Sequence, residues 1–294
     1  MARRYDTISF LTDYGTVDEF VGVVKSVIRD IAAHVTVIDL THEVPPFDIR
    51  AGSLTLARSI SYVPSGVVLA VVDPAVGTDR RAVAIEVSDG GGVLVGPDNG
   101  LLAPAVAMAG GAGRCVVLSN PEYQLEAPGA TFAGRDIFAP AAAHLCNGVD
   151  LYELGEPIEP ELLLPGVVPL PREENGVLVA EVLWVDRFGN CQLNVGPDEV
   201  AAFGDAIRIT VGETSGAPMT RVARRSDNFF GLGTGALGLV TDSYGMLALA
   251  FDRRSAAQEL EIGPNDQVLL QAVPADGSGD GAPISSPVNL RIKR

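Results

Sequence analysis

The segment that most constrains this chain is Gly66–Val72, a run of glycine, valine, leucine and alanine with no polar side chain, followed at once by Asp73. A short run that is apolar at every position suits a central strand of a parallel sheet, because the usual in-out alternation disappears when neither face meets water. The flanking sequence has a matching rhythm. Thr7–Thr12, Val35–Leu40, Val83–Val87 and Gly92–Val95 read as further short strands. After the first of these, Val17, Phe20, Val21, Val24, Val27, Ile28 and Ile31 recur at three- and four-residue steps, the period of an amphipathic helix running to about Ala33. Thr16 and Glu19 have the spacing of a capping box at its start. A second helix is expected over Ile49–Ile60. This alternation predicts an α/β N-terminal domain with a mainly parallel sheet and flanking helices. In such sheets ligands gather at the carboxyl ends of strands, and Asp13 and Asp73 each stand just beyond such an end.

The rhythm changes near Glu161. Pro165, Pro169 and Pro171 mark a linker over 162–175, so the expected domains are 1–165 and 166–274. Beyond the linker come short Val-, Leu- and Ile-rich segments: Val177–Val185, Cys191–Val195, Ala206–Val211, Leu237–Thr241, Leu247–Phe251 and Gln267–Val273. Only Ala256–Ile262 has a helical pattern. The second domain is therefore expected to be smaller, β-rich and barrel-like. Residues 275–287 are rich in Gly, Ser, Pro and Asp, and 275–294 is expected to be a flexible tail.

Composition removes several function classes. The formal net charge of −16 opposes binding to nucleic acid or to an anionic membrane surface. No apolar run is long enough to span a bilayer, and Met1–Asp6 has no signal-peptide pattern. Cys115, Cys146 and Cys191 are odd in number and widely spaced, which argues against a disulfide framework or a zinc site. A cytoplasmic protein acting on a small molecule is the expectation, with no metal. The competing arrangement, an oxygen-rich metal site built from Asp13, Asp73, Asp98 and Asp136, has no histidine or paired-carboxylate spacing to reinforce it.

Read alone, Asp13 either caps a helix or offers two oxygens to a pair of vicinal hydroxyls. Asp18 reads as a first-turn acid favoured by the helix dipole. Asp73 and Arg80, seven residues apart across a turn with Pro74 and Gly77, form either a structural or a catalytic ion pair. Phe132 reads by itself as a core residue, and Phe47 as an ordinary exposed loop aromatic.

Three stretches carry more than these residues do singly: Phe10-Leu11-Thr12-Asp13-Tyr14-Gly15, Val72-Asp73-Pro74-Ala75-Val76-Gly77-Thr78-Asp79-Arg80-Arg81, and Thr131-Phe132-Ala133-Gly134-Arg135-Asp136-Ile137-Phe138-Ala139-Pro140. Together they resemble the S-adenosylmethionine (SAM) hydroxide adenosyltransferases, relatives of the SAM-dependent fluorinases and chlorinases. The resemblance extends over about residues 6–262. It implies Asp13 as the ribose ligand, Asp18 near the methionine end, and Phe47 as a lid over the nucleoside. Phe132 and Gly134 then lie beside the reacting carbon. In the second domain, Asp186 and Asn190 of Val185-Asp186-Arg187-Phe188-Gly189-Asn190 correspond to groups that hold the methionine ammonium and adenine. Ser243 and Tyr244 correspond to the carboxylate-holding segment, and Phe251 to the adenine rim. The resemblance also implies a homotrimer with sites formed between subunits.

Asp73 and Arg80 match two members of an Asp-Arg-His constellation that activates water. The third member is absent, because Ala133 stands where the family's hydrolases have histidine. Attack of water at C5′ of SAM gives adenosine and L-methionine without a cofactor, since the sulfonium is already a leaving group. The expected activity is this hydrolysis, slowed by Ala133. The alternatives are a chlorinase-like halogenase and a catalytically impaired protein that binds SAM or adenosine. The group's halogenases carry tyrosine where this chain has Asp73, and a carboxylate repels an incoming halide.

Overall fold

The computed structural model describes residues 5–87, 90–212 and 218–273; the tail predicted over 275–294 lies outside them. The chain divides into two compact units, Met1–Val168 and Pro169–Arg294.

The first unit is built on β1 (Thr7–Thr12), α1 (Phe20–Ile31), β2 (Thr36–Thr41), α2 (Ile49–Ile60) and β3 (Val67–Val71). It continues through β4 (Ala82–Val87), β5 (Gly92–Pro97), α3 (Ala103–Met108), β6 (Ala112–Val117), α4 (Ala139–Cys146) and β7 (Glu156–Pro157). The sheet order is β2-β1-β3-β5-β4-β6-β7. Strands β2, β1, β3 and β5 run parallel, and β4, β6 and β7 join antiparallel. All five residues of β3 are buried, as its unbroken apolar run requires. Two cores cover the sheet. One gathers Phe10, Val24, Ile28, Leu69 and Phe138, with residues of α1 and α4; the other gathers Leu11, Leu56, Val68, Ile85 and Leu102, with residues of α2 and α3. No helix among the described residues is long and apolar enough to cross a membrane.

The start of α1 departs from the sequence pattern. The helix begins at Phe20, its N-terminal residue Glu19 makes no side-chain cap, and the Thr16 hydroxyl donates to Glu43 Oε1 at 3.2 Å. Val17 belongs to the loop and is 97% exposed, so the apolar stripe begins at Phe20. By contrast, α2 is capped as the sequence allows, with the Asp48 carboxylate accepting from the Ala51 N–H.

The second unit comprises β8 (Arg172–Glu174), β9 (Val177–Val185), β10 (Cys191–Leu193), β11 (Ala206–Val211), β12 (Met219–Ser226), β13 (Leu237–Thr241), β14 (Leu247–Phe251), α5 (Ala256–Leu260) and β15 (Gln267–Ala272). The strand order is β10-β14-β13-β12-β11-β15-β9-β8, and β10 also pairs with β9. That last pairing closes a seven-stranded barrel and leaves β8 as an outer flank. Leu193, Ile207, Ile209, Leu239, Leu249 and Leu270 fill the interior. Strand β12 was absent from the sequence pattern. Ala223 is its one fully buried residue, and Arg221, Val222 and Arg224 are exposed.

Candidate functional site

In the first unit the parallel pairing of β1 and β3 places Thr12 beside Val71. Asp13 and Asp73 therefore leave the same sheet edge from neighbouring strands. Arg80 grips Asp73 with one edge of its guanidinium: Nε donates to Oδ1 at 3.0 Å and Nη2 to Oδ2 at 2.5 Å. The two side chains are 9% and 5% exposed, so this is a buried, forked ion pair. The Phe138 ring lies 5.3 Å from the guanidinium carbon and supports it from another side. Burial pushes the Asp73 carboxyl above the usual carboxylate range; Arg80 opposes this and Asp13 adds to it. A carboxylate shifted upward is a stronger base for a proton from water.

The loop carrying Asp13 is pinned from behind. Thr12 Oγ1 lies 2.9 Å from His42 Nδ1 and accepts the Tyr14 N–H. His42 Nε2 lies 3.1 Å from Asp39 Oδ1, close enough for charge attraction but not aligned as a hydrogen bond. Asp39 Oδ2 in turn holds Lys25 Nζ at 2.6 Å. The Gly15 N–H donates to the His42 carbonyl at 2.7 Å, with Gly15 at a φ of 67° that glycine adopts without strain. Asp13 Oδ2 accepts the Phe47 N–H at 2.9 Å. Phe47 has a φ of 68° and its ring is 72% exposed beside the acid. Asp18 is exposed in the loop before α1.

Phe132, Ala133 and Gly134 lead into a single π-helical turn over Gly134–Phe138, directly before α4. Phe132 packs edge-on against Phe20 at 5.1 Å and Tyr14 at 5.8 Å between ring centres. Arg135 pairs with Asp136 and lies over the Phe132 ring. Ala133 is 6% exposed and belongs to the core; its methyl offers no hydrogen bond. Tyr14 joins this aromatic cluster as well. A β-carbon built on Gly134 would overlap the Tyr14 hydroxyl, with ring atoms Cζ at 3.2 Å and Cε2 at 3.3 Å. Burial, then the charges of Asp13 and Asp73, push the Tyr14 phenol far up, against a smaller pull from Arg80. Its signal in the sequence was only its place between Asp13 and Gly15.

The other acids weighed as metal ligands have separate partners. Asp98 pairs with Arg81, and Asp136 with Arg135. Among the described residues no group of three or more histidine, cysteine, aspartate or glutamate side chains is placed to hold a metal ion.

In the second unit a cleft of about 420 Å³ is walled by Trp184, Asp186, Phe188, Asn190, Gln192, Ser243 and Tyr244, among others. Four residues singled out from sequence meet here: Asp186, Asn190, Ser243 and Tyr244. Asp186 Oδ1 accepts the N–H groups of Phe188 and Asn190, and Oδ2 accepts the Asn190 side-chain amide at 2.8 Å. Asp186 thus builds the turn that presents Asn190. Asp242 does the same for the facing turn, accepting from the Tyr244 and Met246 N–H groups, and it takes a hydrogen bond from Gln192. Gln192 and Asp242 had no sequence signal beyond their neighbours. Phe251 lies in the barrel core, 8% exposed, with Arg254 over its ring, and is not part of the cleft wall.

The chain matches two family models: the SAM hydroxide adenosyltransferase N-terminal domain over residues 8–155 and the C-terminal domain of the same family over residues 180–269. It is 41% identical over 265 residues to a protein of Salinispora arenicola named (R)-S-adenosyl-L-methionine hydrolase, covering 90% of this chain and 97% of that one. A Thermus thermophilus protein of the same name is 37% identical, over 87% and 95% of the two chains. A fluorinase of an Actinoplanes species is 27% identical over 64% of this chain and 71% of its own. Among solved structures, an uncharacterized conserved protein from Thermotoga maritima superposes with a TM-score of 0.81 at 36% identity, over 90% of this chain and 99% of that one.

Proposed function

This chain belongs to the SAM hydroxide adenosyltransferase family, and from that premise we propose that it hydrolyses SAM to adenosine and L-methionine. The observation that carries the proposal is the buried Asp73–Arg80 fork at the sheet edge it shares with Asp13. The relatives' name specifies the R configuration at sulfur, and the proposed substrate is that epimer.

In the reaction a water oxygen bonds to C5′ as the C5′–S bond breaks. Its electron pair passes to sulfur and neutralises the sulfonium, so the leaving group needs no acid and no cofactor. The demand falls on the nucleophile, which must be held in line and deprotonated. Asp73 takes the water proton, and Arg80 fixes the carboxylate and balances its charge. Asp13 receives the ribose hydroxyls, with Phe47 over the nucleoside and Phe132 and Gly134 beside C5′. Asp18, Asp186, Asn190, Ser243 and Tyr244 serve the methionine and adenine ends, and Phe251 backs the adenine side from the barrel core. In this reading the enzyme is a cytoplasmic homotrimer, each site combining the first unit of one subunit with the second unit of a neighbour.

A halide nucleophile is disfavoured, because Asp13 and Asp73 both set negative charge at this edge and Arg80 is already committed to Asp73. Ala133 lowers the rate, because a methyl cannot orient water. The test compares the chain with its Ala133→His form, each incubated with either sulfur epimer of SAM in chloride buffer, by quantifying adenosine, methionine and 5′-chloro-adenosine. Adenosine from the unaltered chain, rising in the histidine form, is expected. Chloro-adenosine as the main product, or SAM bound but unconverted by both, would overturn the proposal.

A further inference from the structure

We infer that the Tyr14 hydroxyl orients the attacking water in this chain, working opposite Asp73; the inference rests on the hydrolase reading above. Three features of the molecule lead to it. The phenol is fixed in place: its ring packs against Phe20 at 5.7 Å and Phe132 at 5.8 Å, and its oxygen lies on the α-carbon of Gly134, where any larger residue would displace it. The oxygen is uncommitted: among the described residues no side chain or carbonyl hydrogen-bonds it, and only the backbone N–H of Tyr14 is engaged, with Thr12. Its neighbourhood is the acid cluster, since Asp13, Asp73 and Arg80 all act on it electrostatically.

Each of those charged neighbours has a task that leaves the water half-held. Arg80 spends Nε and Nη2 on Asp73. Asp73 can accept one O–H of a water but cannot fix the direction of the other. The next residue positions offer nothing, because Ala133 has a methyl and Gly134 no side chain. The Tyr14 oxygen accepts that second O–H, and two fixed acceptors turn a water lone pair toward C5′. The proton lost in the reaction goes to Asp73. Tyr14 neither gains nor loses one, and burial, which pushes its phenol far up, favours the neutral hydroxyl.

The test is Tyr14→Phe, which keeps the ring and its two aromatic contacts and removes one oxygen. Single-turnover adenosine formation and SAM affinity by calorimetry are measured for four chains: unaltered, Tyr14→Phe, Ala133→His and both changes together. The expected result is a rate loss of about tenfold or more for Tyr14→Phe, the worth of one hydrogen bond in the transition state, with affinity within about twofold. The loss should shrink when Ala133→His supplies a competing orienting group, a non-additivity that a purely structural role does not produce. An unchanged rate in Tyr14→Phe would overturn the role of Tyr14 and leave the hydrolase reading intact. Rate and affinity falling together would also overturn it, making the hydroxyl a binding or folding group. No adenosine from the unaltered chain would overturn the hydrolase reading itself.

Discussion

Gly134→Ala sets two effects of opposite sign against each other at the centre of the site. Gly134 opens a helical turn and has an ordinary negative φ. At such a position Ala normally stabilises by about 0.5–1 kcal/mol, through lower chain entropy in the unfolded state and better helix propensity. The new methyl, however, would overlap the Tyr14 hydroxyl. Tyr14 cannot swing freely, because Phe20 and Phe132 pack against its ring and against each other. Overpacking of this kind costs about 1–3 kcal/mol, so the net expectation is destabilisation of roughly 0–2.5 kcal/mol. In a Tyr14→Phe background the overlapping oxygen is gone. The remaining contacts at 3.2 and 3.3 Å need the ring to yield only by a few tenths of an ångström. There the same substitution should be neutral or stabilising, by up to about 1 kcal/mol. Urea unfolding of the four chains gives the cycle directly. Equal effects in the two backgrounds, or stabilisation in the presence of Tyr14, would refute the placement of the hydroxyl on Gly134.

Asp13→Ala should abolish measurable nucleoside binding, and near-normal SAM affinity by calorimetry would remove Asp13 from the ribose role. Asp73→Asn should lower turnover by about 10²- to 10⁴-fold with a smaller effect on affinity; the reverse pattern would make Asp73 a binding residue. It should also lower stability, since it leaves Arg80 buried with a neutral partner. Burial raises the Asp39 carboxyl, but the Lys25 hydrogen bond and the close Lys25 and His42 side chains outweigh it and hold the pKa below its ordinary value. The folded-state pKa is depressed, so this contribution is present above about pH 4 and lost as pH falls through the lower folded value. Acid unfolding of Asp39→Asn should therefore converge with that of the unaltered chain at low pH, and a difference that grows on acidification would contradict the pairing.

Much of the fold was legible because burial and periodicity coincide. Gly66–Val72 is apolar throughout because β3 is covered on both faces, and Ile49–Ile60 has both a periodic stripe and an Asp48 cap, so α2 falls where the pattern put it. Val17 continued the stripe of α1 in sequence only. Thr16 is turned toward Glu43, and the helix starts at Phe20. Strand β12 was hidden because its outward face carries arginine and its ladder to β11, not its hydrophobicity, makes it a strand. The site shows the same division. Asp13 and Asp73 were visible as acids at strand ends, and the Asp73–Arg80 pair followed from a seven-residue spacing across a turn. Tyr14 and the Asp242–Gln192 contact depend on how residues from distant segments meet, which no local pattern encodes.

The claim that this chain delivers water to C5′ of SAM is tested most directly by running the reaction in heavy-oxygen water and weighing the nucleoside by mass spectrometry. The account predicts adenosine carrying the heavy isotope at its 5′ oxygen, with one methionine released for each adenosine formed. Adenosine without the label, or a nucleoside bearing chloride in place of oxygen at C5′, would contradict it.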